Sequence, residues 1–286
     1  MIYVLTFLVI AGVFAQNMSD KLFAVRIVGS KSVQPFYCFC SACFFFLSVI
    51  VYGVLTGGYS FVHLPTVGMG TIFGVSSCVS IILTAYLIQT GPMGFVALIN
   101  SFAPLIPTLF GFFILSEPLR ESVLIGIVLL VVSLLLINLK KEGRMKPHWL
   151  MLALLAFVMG GTCSTVQTYH QNIFHAYGVL FMTVGTFISV LICAGYCWRF
   201  RKDVPKTISP LFFALSSVKG IASAMVNFLV IYLVQKMPAS VLFPVVSAGG
   251  VVVSMLASRF LFKETMTGNQ KVGFFCGLCA VILFNM

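Results

Sequence analysis

Ten blocks of apolar residues, each long enough to cross the hydrocarbon of a bilayer, fill almost the whole sequence. A helical span needs about 20 consecutive apolar residues. The blocks fall at 2–20, 34–56, 66–89, 92–115 and 121–139, then at 149–170, 176–198, 209–234, 238–262 and 270–285. Between them stand the breakers Gly57-Gly58, Pro65, Gly91-Pro92, Pro118, Pro205, Pro210 and Pro238. The runs are continuously apolar and do not alternate, which predicts helices and not a barrel. The expected fold is an all-α integral membrane protein of ten transmembrane helices. No connector is long enough to hold a domain in water.

Composition agrees. Of 286 residues, 60% are hydrophobic and 8% charged, with a mean hydropathy of +1.11. Soluble domains carry about 25% charged residues. A formal charge of +11 would suggest nucleic acid in a soluble chain. Here the basic residues sit beside spans, where orientation and anionic lipid account for them. The expected partner is therefore the lipid bilayer and not nucleic acid. Met1–Ala15 lacks a basic leader and a small-x-small cleavage site, so it reads as the first span and not a signal peptide. Fourteen Lys and Arg residues flank the odd-numbered connectors, against Arg120 and Lys236 on the even side. The positive-inside rule then places the odd connectors in the cytoplasm and both termini outside a cell (inner or plasma) membrane.

The two halves of the chain match each other. Gly74-Val75-Ser76-Ser77, Tyr86, Gln89 and Pro92 pair with Gly220-Ile221-Ala222-Ser223, Tyr232, Gln235 and Pro238 at an offset of 146. At an offset of 147, Phe113, Glu117, Gly126, Leu136 and Asn138 pair with Phe260, Glu264, Gly273, Leu283 and Asn285. This predicts a five-helix repeat over 1–140, a basic connector over 141–148 and a second five-helix repeat over 149–286. Five is odd, so the second copy must enter the bilayer inverted. Inverted repeats are the architecture of alternating-access transporters, with the substrate near the midplane between the copies. The third and eighth spans match best and are expected to face each other across that site.

Leu115-Ser116-Glu117-Pro118-Leu119, followed by Gly126, resembles the end of the fourth span in the drug/metabolite transporter superfamily, EamA type. Phe262-Lys263-Glu264-Thr265-Met266, followed by Gly273, repeats it after the ninth span. The resemblance covers essentially the whole chain. It implies secondary transport, often export, of amino acids, other metabolites or drug-like compounds. Ala15-Gln16-Asn17 stands where many members have a Trp-Gly pair. Members commonly have cytoplasmic termini, whereas the charges here place them outside.

Lys219 is the most informative residue. It lies about ten residues into its span, roughly 15 Å deep at the helical rise. A charge there costs about 2.5–3.5 kcal/mol on insertion scales, so it should face a cavity or a partner. The alternative is a lysine that snorkels or binds carbonyls. Asp20, Glu117, Glu121, Glu142, Asp203 and Glu264 all fall in connectors or at span ends, leaving no carboxylate at the midplane. That argues against a proton-coupled exporter of organic cations and for an anionic or zwitterionic substrate. Ser216, Ser223 and Asn227 share the helical face of Lys219, and Ser77 is the repeat counterpart of Ser223. Gln16, Asn17, Asn100 and Gln167 are further candidate substrate contacts inside spans. For each, interhelical hydrogen bonding is the structural alternative.

Other polar signals read as structural. Tyr86 and Tyr232 are expected as interfacial anchors, Glu117 and Glu264 as end contacts, and His170 and His175 as interfacial. Gly70/Gly74 and Gly273/Gly277 have the spacing of close helix packing, and the second pair could serve a homodimer. Nine cysteines sit in apolar segments, where Cys38/Cys40/Cys43, Cys193/Cys197 and Cys276/Cys279 fit packing better than metal binding. No cofactor, metal or catalytic residue is implied, and no Gly-rich phosphate loop suggests ATP drive. The expected function is secondary transport of a small polar metabolite, such as an amino acid, by alternating access. The rivals are a broad exporter of aromatic or drug-like compounds, a non-transporting assembly or sensor subunit, and an intramembrane enzyme.

Overall fold

The computed structural model describes residues 1–27, 33–59, 63–90, 102–116, 121–138, 147–174, 177–200, 209–261 and 268–284. Within them the chain is helical throughout. In order these are α1 (Ile2–Arg26), α2 (Val33–Thr56), α3 (Leu64–Thr90), α4 (Leu105–Phe113) and α5 (Glu121–Asn138), then α6 (Pro147–Phe174), α7 (Gly178–Arg199), α8 (Pro210–Val234), α9 (Ala239–Leu261) and α10 (Gly268–Phe284). Six of them, α1–α3 and α6–α8, are long and apolar enough to cross a membrane. Their outward faces carry exposed Phe7, Leu47, Ile72, Phe187, Leu191 and Ile221. Such a surface would be a liability in water and suits lipid.

Gly57, Gly58 and Pro210 act where the sequence places them, while Gly91-Pro92, Pro118 and Pro205 lie outside the described residues. Gly57 ends α2 with φ +60, a left-handed turn that a side chain would strain, and the Gly58 N–H reaches back to the Gly53 carbonyl at 3.0 Å. Pro210 opens α8 behind Ser209, where its missing N–H leaves no bond unmade. One boundary differs with consequence: α1 runs on to Arg26 and does not stop at 20. Leu22, Phe23, Ala24 and Val25 keep the run apolar after Asp20 and Lys21, so the helix absorbs both charges.

Close packing is concentrated at small residues. A Cβ on Gly74 would collide with the Gly185 carbonyl, and one on Gly70 would stand 2.9 Å from the Phe181 carbonyl, so α3 lies tight on α7. On the other side of the bundle, a Cβ on Gly220 would stand 2.6 Å from the Ser41 carbonyl, which brings α8 tight on α2. The Gly273/Gly277 face does not await a second copy. Ser133 of α5 donates to the Gly273 carbonyl at 2.6 Å and would meet a Cβ on Gly277, so α10 spends that face on α5.

Candidate functional site

A cavity of about 140 Å³ lies between α1, α2, α3, α7 and α8. From α8 it is lined by Lys219, Ser223 and Asn227, a stripe at i, i+4, i+8 that one helical face must present together. α3 contributes Ser77 and Cys78, α1 contributes Gln16, α2 contributes Cys38 and Ser41, and α7 contributes Ser189 and Cys193. α3 and α8 both line the cavity, and they are not among the helix pairs in substantial contact.

The cavity is bounded along the helices by two apolar layers. At one end Val49, Phe73, Phe181, Met182 and Ile231 form a buried cluster. At the other, Phe23, Val33, Tyr37, Phe212 and Leu215 form a second. The second is an aromatic stack, with Phe23 on Tyr37 at 4.0 Å and Phe36 on Phe212 at 5.3 Å.

Lys219 has a carboxylate partner, which corrects the sequence expectation. Its Nζ donates to Asp20 Oδ1 at 2.7 Å, while the ammonium stands 5.2 Å from the centre of the Tyr37 ring. The physical reason is the extension of α1: Asp20 sits inside the helix, not in a connector. Asp20 remains 48% exposed and the lysine side chain 15%. The pair therefore joins α1 to α8 at the floor of the cavity, directly over the aromatic layer.

The neighbouring donors are already engaged. Ser223 Oγ donates to the Lys219 carbonyl and Asn227 Nδ2 to the Ser223 carbonyl, both at 2.8 Å. Their oxygens are left as acceptors toward the cavity. Gln167 lies behind this wall and donates to the Asn227 carbonyl at 3.1 Å. Ser216 is fully buried outside the cavity and donates to the Phe212 carbonyl at 2.8 Å. Asn17 is exposed and does not line the cavity, because the α1 face that carries Gln16 excludes its neighbour. Asn100, Glu117, Glu264 and His175 lie outside the described residues. Tyr86 and Tyr232 are exposed, away from the cavity.

No family model matches the sequence, and no curated protein does. A solved structure bearing only the description "Crystal structure of protein" matches over 99% of this chain and 98% of its own, with a TM-score of 0.75 at 14% identity. The likeness is one of fold.

Sequence reasoning missed three features of the site. Asp20 was hidden by a helix boundary drawn too early. Ser41 and Ser189 were two among many span serines, and only the packing selects them. The thiols regroup across helices: Cys78 Sγ lies 3.3 Å from Cys193 Sγ, with Cys38 in the same buried cluster. Spacing along one helix could not have shown this. Among the described residues no set of His, Cys, Asp or Glu is arranged to hold a metal ion.

Proposed function

We propose that this chain is a ten-helix secondary transporter of two inverted five-helix halves, resembling the EamA-type drug/metabolite transporters. It moves a small polar metabolite through the cavity around Lys219. The observation that carries this is the cavity itself: Lys219, held by Asp20, and a set of Ser, Asn and Gln side chains from both halves, with an apolar cluster toward each end. A subunit that only assembles or signals has no need of such a space.

The helix pairings support the inverted repeat. Under the exchange of α1–α5 with α6–α10, the contact of α3 with α6 becomes that of α8 with α1, and α3 with α7 becomes α8 with α2. All four pairings are present, and α2 with α7, α4 with α9 and α5 with α10 exchange into themselves. Gly74 and Gly220, the sequence-matched glycines, make the equivalent close approaches.

The ion pair narrows the substrate class. A purely anionic solute that took Lys219 would strand Asp20 without a partner. A zwitterion satisfies both, its carboxylate on Lys219 and its ammonium on Asp20. Exchange of these pairs loosens the link between α1 and α8 above the aromatic layer, which couples binding to opening of that end. Two charge-assisted contacts of about 1.5–3 kcal/mol each fit the affinity of a small metabolite. Transport of amino-acid zwitterions is measured with Lys219→Met at equal membrane abundance. The expected result is a loss of about 10–100-fold from one missing charged contact; transport at the wild-type rate would remove Lys219 from the site.

A further inference from the structure

Away from the cavity, five polar side chains form a continuous hydrogen-bonded chain inside one end of the bundle. His63 Nδ1 lies 2.8 Å from Thr66 Oγ1, and Thr66 Oγ1 lies 3.0 Å from His170 Nε2. Gln171 Nε2 lies 2.9 Å from His170 Nδ1, and Gln235 Nε2 donates to Gln171 Oε1 at 3.2 Å. Thr66, His170 and Gln171 are fully buried, whereas His63 and Gln235, the two ends, are not. The chain ties the start of α3 to the ends of α6 and α8, with the His170 ring stacked on Phe181 of α7 at 4.4 Å and His63 on Tyr177 at 4.5 Å. The sequence reading placed His170 at the interface; packing of α6 against α3 and α7 puts it inside.

Buried polar chains of this kind are stable only when every member is matched. Here the match fixes the protonation. The bond from Gln235 sets the Gln171 nitrogen toward His170, so His170 Nδ1 accepts and carries no proton. His170 is then neutral, with its proton on Nε2 and donated to Thr66. Thr66 Oγ1 in turn reaches His63 Nδ1 at 2.8 Å. An added proton on His170 Nδ1 sets two donors face to face, and relief requires the Gln171 and Gln235 amides to turn over or the chain to open.

Among the described residues the surroundings offer no compensating charge. α3 faces the pair with His63, α6 with His170 beside the exposed Tyr169, α7 with Phe181 behind Tyr177, and α8 with Gln235 followed by Lys236, a cation. Among the described residues no carboxylate forms a salt bridge with either ring. A buried imidazolium without a counter-charge is costly, so a proton favours a form in which water reaches the rings.

We propose that the His63–Thr66–His170–Gln171–Gln235 chain is a proton-binding latch that closes this end of the molecule when neutral and releases α3, α6 and α8 on taking up one proton. It sits outside the Val49–Phe73–Phe181–Met182–Ile231 layer and so governs access to the cavity from that side. The sign is fixed: the closed form holds the deprotonated His170 ring, so closure is complete at high pH and lost as pH falls. The latch holds whatever solute the cavity takes, and its test needs none.

The test uses the full chain in lipid bilayers with ¹⁵N-labelled histidine. The sequence has four histidines, so the signals are few enough to assign. At about pH 8 the expected signal of His170 is a neutral ring protonated on Nε2; on acidification to about pH 5 an imidazolium signal replaces it. Backbone deuterium exchange at 64–70 and 168–174, corrected for the pH dependence of the chemical step, should speed up at least tenfold over the same range. His170→Gln keeps an amide in the chain but cannot be charged, so it should abolish the acid response. Exchange in the wild type that does not respond to acid, an imidazolium held inside a protected structure, or an acid response that persists in His170→Gln would each overturn the proposal. The wild-type titration decides the matter even if the variant fails to fold.

Discussion

At the residue scale the account turns on two charges. Removing one partner of a desolvated ion pair leaves the other uncompensated, at a cost of about 3–5 kcal/mol when fully buried. Asp20 is half exposed, so about 1–2 kcal/mol is expected for Lys219→Met, read as a lower unfolding temperature in detergent. Asp20→Asn combined with Lys219→Met removes both charges and should recover most of that loss. It should not recover transport, and this separates a binding role from a structural one. If the double variant transports as well as wild type, the pair is a fold contact only. Lys219 was legible in the sequence because an ionisable group inside an apolar run has few uses. Asp20 was not, because its role depends on α1 continuing past two charges, which the Leu22–Val25 run decides. Ser216 misled for a related reason: it shares the helical face of Lys219, yet one turn below it the aromatic layer has already closed the cavity.

Helices were the easiest level to read, since continuous apolar runs and Gly/Pro breakers act locally. What they pack against is set by non-local contacts, and there the sequence was informative only at glycines. Gly220→Ala should destabilise by about 1–3 kcal/mol, because its Cβ would press on the Ser41 carbonyl, which cannot move without shifting α2. Gly68 lies in α3 with open space around it, so Gly68→Ala should stabilise by about 0.5–1 kcal/mol through helix propensity alone. Thermal unfolding of the two variants beside wild type checks both signs at once. The Gly273/Gly277 spacing was read correctly as close packing, but periodicity cannot say whether the neighbour belongs to the same chain. The α3–α7 contact offers a further check across the two halves. Cys78 and Cys193 should join readily under copper–phenanthroline, losing two protons and two electrons to the oxidant, and transport should stop until dithiothreitol restores the thiols. Transport that continues with the bond formed would mean that α3 and α7 do not move relative to each other.

At the scale of the whole molecule, the proposed orientation rests on charge bias and the proposed mechanism on the repeat. Single cysteines placed within 140–146 or 199–206 of a cysteine-free variant should resist an impermeant thiol reagent on intact cells. Rapid labelling from outside would reverse the orientation and leave the bundle unchanged. The proposed repeat rests on ordered pairs of Gly, Tyr, Gln and Pro at a near-constant offset, the trace that symmetric positions under symmetric demands would leave. Of the proposed latch only Gln235 has a repeat counterpart, Gln89; His63 and His170 have none, and hydrogen bonds between helices distant in sequence leave no period. The proposed solute class rests on the whole, since only the assembled bundle brings Asp20 to Lys219. The most direct measurement is counterflow by the purified protein in liposomes. Vesicles loaded with a pool of unlabelled small amino acids should accumulate a labelled one against its gradient, saturably, with the matched amines and carboxylic acids competing poorly. Label that enters no faster than into empty vesicles, or that is displaced equally well by amines or acids alone, would contradict the account.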